Sequence, residues 1–178
     1  MIKGEEEISV AVYWGRFNPP HKGHLGVIKK FNHKYNLTAA IGSSEHKNEK
    51  TNPFSGRERK LMLEAYLNEQ KIKDVRVVTL NDGKSKSWAI DNLVKKCKPD
   101  VLLLSENHEM INLTKGKKIH VLSFKRKGSL SSTLIRDLIA SDNSKWRNLT
   151  GKSVARMIMK LDGAYRIKTA YRSGSGQE

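Results

Sequence analysis

The residues best equipped for chemistry in this chain are His21 and His24, which flank Lys22-Gly23 where a helical pattern opens. A neutral imidazole can donate one N–H while its other nitrogen is held, and a glycine lets backbone approach an anion closely. Arg16 and Lys22 add positive charge to the same stretch. Tyr13–His24 starts at the end of an apolar run and turns through Gly15 and Pro19-Pro20 before the helix begins. A strand that gives way to a helix N-terminus aims unpaired N–H groups and the positive end of the helix dipole at one point. Such a point is a phosphate seat, and the histidines and arginine beside it indicate phosphate chemistry rather than simple docking. Histidines at i, i+3 could also ligate zinc, but no third ligand stands at helical spacing, so no metal-binding residue is assigned.

A second cluster lies far downstream. Ser131-Ser132-Thr133 reads as a helix cap, and Arg136 follows one turn later, a combination that favours phosphate over mere capping. Both clusters need a scaffold that brings them together. Ile8–Tyr13, Leu37–Ile41, Val75–Leu80, Val101–Leu104 and Ile119–Phe124 are short apolar runs that predict five strands. Helical patterns separate them. Leu25, Val27, Ile28 and Phe31 form one apolar face; Leu63, Tyr66 and Leu67 form another behind a Ser55/Glu58 capping box. A third helix runs from Trp88 to Cys97, and Leu134, Ile135, Leu138 and Ile139 face inward from a fourth. Residues 45–52 carry no apolar period and read as a loop. Five strands alternating with helices predict an α/β fold: a Rossmann-like, doubly wound parallel five-stranded sheet with a small C-terminal helical segment. Ligands then bind outside the carboxyl ends of the strands, where the two clusters can converge. The expected organisation is a core over 1–140, a helical extension over 141–172 packed on it, and a flexible tail at 173–178. Val154, Met157, Ile158 and Leu161 mark the last helix, with Asp162-Gly163 as its stop.

Composition narrows the class. No run approaches the roughly 18 apolar residues of a membrane span, and Ile8–Trp14 is too short for a signal-peptide core, so a cytoplasmic protein without membrane partners is expected. The single cysteine, Cys97, excludes an internal disulfide and a Cys-rich metal site. The net charge of +16 is uneven: residues 1–110 hold 19 Lys/Arg against 14 Asp/Glu, whereas residues 111–178 hold 15 against 4. That balance suits anionic partners. Without an RNA-binding aromatic motif or zinc-finger spacing, nucleotides and pyrophosphate are favoured over nucleic acid.

Gly15-Arg16-Phe17-Asn18-Pro19-Pro20-His21-Lys22-Gly23-His24 resembles the signature of the HxGH nucleotidyltransferase superfamily, and Ser131-Ser132-Thr133-Leu134-Ile135-Arg136 resembles that superfamily's S-x-T-x-x-R motif. Within it the chain is most similar to the archaeal-type nicotinamide mononucleotide adenylyltransferases. Ile41-Gly42-Ser43, Asn52-Pro53-Phe54, Gly56-Arg57-Glu58-Arg59, Trp88, Ser105-Glu106-Asn107 and Lys145-Trp146-Arg147-Asn148-Leu149 agree with that family. The resemblance spans roughly residues 8–170. It implies adenylyl transfer from ATP to nicotinamide mononucleotide, giving NAD and pyrophosphate, with Mg2+ held mainly through ATP phosphates. It also implies a homo-oligomer, with a hexamer as the expected state. His21, His24 and Arg136 would be catalytic; Gly15, Arg16, Phe17, Asn18, Ser131, Ser132 and Thr133 would bind ATP. Trp88 would stack on the nicotinamide, with Asn52, Phe54, Asp82 and Asn107 lining the acceptor pocket. Arg57 and Arg59 read as a solvated helix start. The chain departs from the family at Gly42-Ser43-Ser44-Glu45, where a carboxylate replaces an amide, and at Lys84-Ser85-Lys86 ahead of Trp88. The two lysines leave open a more anionic acceptor, such as flavin mononucleotide or phosphopantetheine. A module that binds nucleotide or nucleic acid without turnover is the alternative from another class.

Overall fold

The fold is taken from a computed structural model that describes residues 9–125 and 128–173. Five parallel strands, β1 (Val10–Gly15), β2 (Asn36–Ile41), β3 (Val75–Thr79), β4 (Val101–Ser105) and β5 (His120–Phe124), lie in the order β3-β2-β1-β4-β5. Every pairing is parallel, with Val12 opposite Thr38 and Leu102, and Leu103 opposite Leu122. The order reverses between β1 and β4. That reversal is the switch point at which an open α/β sheet leaves a crevice at its carboxyl edge. The expected strand beginning at Ile8 starts instead at Val10; Ile8 lies outside the described residues.

The strands are apolar on both faces because helices cover both. Ala11 and Tyr13 of β1 point to one side, and Val12 points to the other. The first side packs on α1 (Lys22–Phe31), α2 (Gly56–Glu69), α5 (Ser132–Ala140), α6 (Lys152–Lys160) and α7 (Gly163–Ser173). The second packs on α3 (Lys86–Cys97) and the short α4 (His108–Asn112). Cys97 closes α3, buried in that second cluster. Among the described residues no helix is long and apolar enough to cross a membrane.

The expected stop at Asp162-Gly163 ends α6 but does not end the helical segment, because α7 begins at Gly163. A Cβ on Gly163 would fall 2.7 Å from the Phe54 ring, so this glycine marks a close approach rather than a terminus. From α7, Arg166 pairs with Glu58 at 2.7 Å and donates to the carbonyl of Pro53 at 2.5 Å and to Asn48 Oδ1 at 3.0 Å. The C-terminal segment therefore clamps the loop between β2 and α2. A five-residue 3-10 helix, Ser144–Asn148, and α4 also went unread. α4 buries no residue, so it has no apolar period to detect.

Helix α6 has Gly151 at its cap position and no side chain of its own to serve its first amides. Glu69, at the end of α2, does so from outside, accepting from Lys152 N at 3.1 Å and Ser153 N at 2.6 Å. Burial alone would raise this carboxyl, but the hydrogen bonds from Ser153 and Lys152 outweigh it and hold it below its ordinary value of 4.5. A depressed carboxylate stabilises the fold above its unfolded pKa, and that contribution disappears as pH falls through the folded pKa. Glu69→Gln should therefore melt lower than the parent at neutral pH, and the gap should close as pH drops below the usual carboxylate range. Thermal melts of both proteins across that range check it.

Candidate active site

At the carboxyl edge, beside the β1/β4 switch, lies a cavity of about 580 Å³ bordered by Gly15, Ser105 and Phe124 at the ends of β1, β4 and β5. Both sequence clusters open onto it: His21 and His24 from the first, and Ser131, Ser132, Thr133 and Arg136 from the second. Arg16, Lys30 and Lys125 also line it, and among the described residues no carboxylate does. Such a surface selects for a polyanion.

The histidines are held by their own helix start. His21 caps α1, its Nδ1 accepting from Gly23 N at 3.1 Å, while His24 Nδ1 accepts from His21 N at 3.3 Å. An Nδ1 that accepts a backbone N–H carries no proton, so each neutral ring bears its proton on Nε2. The two rings stack at 3.7 Å, and Phe17 packs on His24 from elsewhere at 4.6 Å. Phe17 has no exposed surface and a φ of 50°. Its side chain packs on the His24 ring at the cavity lining.

Gly23 is required by the same geometry. A Cβ there would come within 2.9 Å of His21 Cε1 and 3.0 Å of Nδ1, closer than carbon atoms pack. Gly23→Ala should leave stability level or lower, since loss of the His21 cap, worth about 0.5–2 kcal/mol, offsets the about 0.5–1 kcal/mol by which alanine favours a helix over glycine. It should also lower kcat by about ten-fold or more, because the His21 ring must swing off its cap. Melting temperature and turnover measured on the same sample separate the two effects.

The α1 N-terminus is not the open phosphate seat expected from the sequence. Lys22 N donates to the carbonyl of Leu149 at 3.0 Å, Gly23 N to His21, and Leu25 N to the His21 carbonyl at 3.2 Å. A carbonyl from the C-terminal segment fills the place a phosphate oxygen was expected to take. The open amides belong to α5. Ser131 caps that helix by accepting from Leu134 N at 3.0 Å, which leaves the N–H groups of Ser132 and Thr133 without a protein acceptor among the described residues. The donors left facing the cavity are the α5 amides, beside the imidazoles and the arginines that line it.

The clusters are stapled to each other. Ser132 Oγ donates to the Pro19 carbonyl at 2.9 Å, and Arg136 Nη1 donates to the Asn18 carbonyl at 2.8 Å. Arg136 Nη2 donates to Thr133 Oγ1 at 3.2 Å, and its buried Nε has no partner among the described residues. Arg136 is only 4% exposed, so a guanidinium is held at the cavity wall by the signature it is meant to serve. Asn18 is a bracket. Its side-chain amide donates to Asn52 Oδ1 and the Phe54 carbonyl, and its Oδ1 accepts from Phe54 N.

The expected acceptor residues do not gather as the ATP-side residues do. Phe54 is fully buried under Gly163 and Arg166, so it is a core residue with no surface to offer a substrate. Asn52 is buried against Asn18. Asn107 is exposed and caps α4, accepting from Met110 N at 3.2 Å. Asp82 is committed to Ser43, accepting from its N–H at 2.8 Å and its hydroxyl at 2.6 Å. Trp88 is 44% exposed near the start of α3 and covers Gly83, with a broad aromatic face turned outward. None of these five lines the 580 Å³ cavity. Trp14, which the sequence did not single out, joins the two sides. It lines the cavity, and its Nε1 would lie 2.6 Å from a Cβ on Gly42, a position only 3.4 Å from Asp82 Oδ1.

Arg59 departs furthest from expectation. Instead of standing in solvent, it has zero exposure and donates to the carbonyls of Arg16, Gly42 and Ser43 at 2.8, 2.8 and 2.6 Å. Burial pulls its pKa down to about 10, with Asp82 partly offsetting the loss, so it remains a cation at neutral pH. Its position was legible: Arg59, Met62, Leu63, Tyr66 and Leu67 form one helical stripe, all buried.

The switch-point cavity, paired Nε2 donors and open helix amides define a nucleotide-handling α/β protein of the transferase kind. Residues 12–138 match the cytidylyltransferase-like family. A nicotinamide-nucleotide adenylyltransferase of Methanospirillum hungatei is 34% identical over 89% of this chain and 91% of its own, and nicotinamide-nucleotide adenylyltransferase 1 of Sulfolobus acidocaldarius is 31% identical over 89% and 93%. A crystal structure of a bifunctional NMN adenylyltransferase/ADP ribose pyrophosphatase from Francisella tularensis, complexed with AMP and a manganese ion, superposes with a TM-score of 0.70 at 20% identity, over 94% of this chain and 53% of that longer one. The chain belongs to the nicotinamide-nucleotide adenylyltransferase family, within the cytidylyltransferase-like group.

Proposed function

We propose that this protein joins the AMP moiety of ATP to nicotinamide mononucleotide, forming NAD and releasing pyrophosphate. The observation that carries the reading is the meeting of His21, His24, Arg136 and the open α5 amides on one cavity that no carboxylate among the described residues lines. A phosphate oxygen of the mononucleotide attacks the α-phosphorus of ATP in line, the bond to the bridging oxygen breaks, and pyrophosphate leaves with that electron pair. The protein needs no nucleophile of its own. It must hold two anions together and stabilise the added charge of the transition state. His24 Nε2–H is assigned to the α-phosphate and His21 Nε2–H to the neighbouring phosphates. Ser132 and Thr133 amides, Arg136 and Arg16 hold the triphosphate, whose base and ribose occupy the rest of the cavity.

Magnesium enters as part of the substrate. The cavity lining offers hydroxyls at Ser105, Ser131, Ser132 and Thr133 but no carboxylate, and no group of three metal-ligating side chains occurs among the described residues. That donor set fits a cation bound by phosphates and water, which neutralises and orients the leaving pyrophosphate.

Trp88 supplies the nicotinamide platform, a flat cationic ring lying on an indole face. Of the two lysines that raised a more anionic acceptor, Lys86 is paired with Glu109 at 2.6 Å, which offsets its charge and favours the pyridine nucleotide. Trp88→Ala should raise KM for nicotinamide mononucleotide about ten-fold, with KM for ATP within about two-fold of the parent. Steady-state kinetics varying each substrate in turn check it, and an unchanged acceptor KM removes the stacking role. The same reading makes the protein a cytoplasmic homo-oligomer, with a hexamer as the family expectation; sedimentation gives the state directly.

A further inference from the structure

We infer that Arg59 is a positioning residue that locks the ATP side of the site to its acceptor side, through Ser43 and Asp82. The inference rests on the adenylyl-transfer reading and adds a residue to its machinery. The Arg59 guanidinium reaches two loops at once: Nη1 bonds the Arg16 carbonyl in the histidine signature and the Gly42 carbonyl after β2, and Nη2 bonds the Ser43 carbonyl. Its Nε donates to the Ser55 carbonyl at 3.3 Å, which anchors the fork to its own helix cap. Ser43 then passes the connection on, giving both its N–H and its hydroxyl to the Asp82 carboxylate beyond β3. Asp82 N in turn donates to Glu45 Oε1 at 3.0 Å, closing the loop. One hydrogen-bonded path thus joins the end of β1, which borders the ATP cavity, to the ends of β2 and β3, which lead to Asp82 and the turn before Trp88.

The geometry calls for arginine. Four carbonyls in three directions need a planar fork with several fixed donors, and an ammonium on a flexible stem cannot serve them together. No carboxylate among the described residues pairs directly with Arg59, so its charge is met mainly by carbonyl dipoles, with Asp82, Glu45 and Glu58 acting on it from further off. Arg16 lies within electrostatic reach. Fixing the Arg16 carbonyl fixes the stretch that leads to the histidines, and fixing Ser43 sets Asp82, hence the turn that carries Trp88.

The test uses the full chain and two variants, Arg59→Lys and Asp82→Ala, each followed by ATP titration calorimetry without acceptor, by steady-state kinetics and by thermal melts. Arg59→Lys should weaken ATP binding and raise the acceptor KM, each by about ten-fold, the loss expected for a charge-assisted hydrogen bond or two. Asp82→Ala, which cuts the path at its far end, should weaken ATP binding by about three-fold although Asp82 does not border the ATP cavity. If Arg59→Lys does not fold, the Asp82→Ala titration decides alone. Melting temperatures that fall while ATP affinity stays within error of the parent would reduce Arg59 to a structural residue and overturn the inference. Because the titration needs no acceptor, a parent protein that binds ATP but makes no NAD refutes the acceptor reading and leaves this test standing.

Discussion

His24→Ala should lower kcat by about two orders of magnitude or more, the usual cost of losing one transition-state donor, while KM for ATP changes by much less. His24 sits between His21 and Phe17, with Nδ1 occupied by the His21 amide, so its Nε2–H is aimed before substrate arrives. A preorganised donor acts mainly where charge develops, which places its loss in kcat. Alanine also removes the acceptor for His21 N, and some loss of melting temperature follows from that. Asparagine, whose side-chain oxygen can still accept at the cap, should recover part of the stability and little of the turnover. If His24→Ala raises KM for ATP and leaves kcat intact, the ring is a ground-state contact.

The second large effect is expected at Arg136. Arg136→Lys should reduce kcat/KM for ATP by about 10²–10³-fold, because the guanidinium does two jobs that an ammonium cannot do together. It ties Asn18 and Thr133 to each other, and it presents its remaining donors at the cavity wall. A lysine can keep the charge or the staple but loses the fork. The change also unpairs the Asn18 carbonyl, a buried group whose desolvation costs about 1–3 kcal/mol, so melting temperature should fall as well. Kinetics at a temperature where the variant remains folded isolate the catalytic part.

The strands and main helices could be read because their signals are local. β-branched runs such as Ile8–Tyr13, and the i, i+3, i+4 spacing of Leu63, Tyr66 and Leu67, announce themselves within a few residues. The paired histidines and the serine cap of α5 were legible in the same way. What escaped is what distant segments do to one another. Leu149 fills the α1 amide that the sequence left free for phosphate, and Glu69 caps a helix that has no cap residue. Gly163 reads as a stop, yet it is there because the Phe54 ring leaves no room for a side chain. Phe54 and Asn52 carry the spacing of a binding motif, and the structure uses them to brace Asn18. Arg59 was misread for a different reason. A charged residue on an apolar stripe was assigned by its charge, when its position on the stripe carried the better information.

Adenylyl transfer to the phosphate of a pyridine mononucleotide is the activity proposed for this cavity. It is tested most directly by incubating the protein with ATP, magnesium and, separately, nicotinamide mononucleotide, flavin mononucleotide and phosphopantetheine, while following pyrophosphate release and identifying the dinucleotide. Equal amounts of pyrophosphate and NAD are expected with the first acceptor, and little turnover with the others. Pyrophosphate released with flavin mononucleotide or phosphopantetheine, and none with nicotinamide mononucleotide, would contradict it.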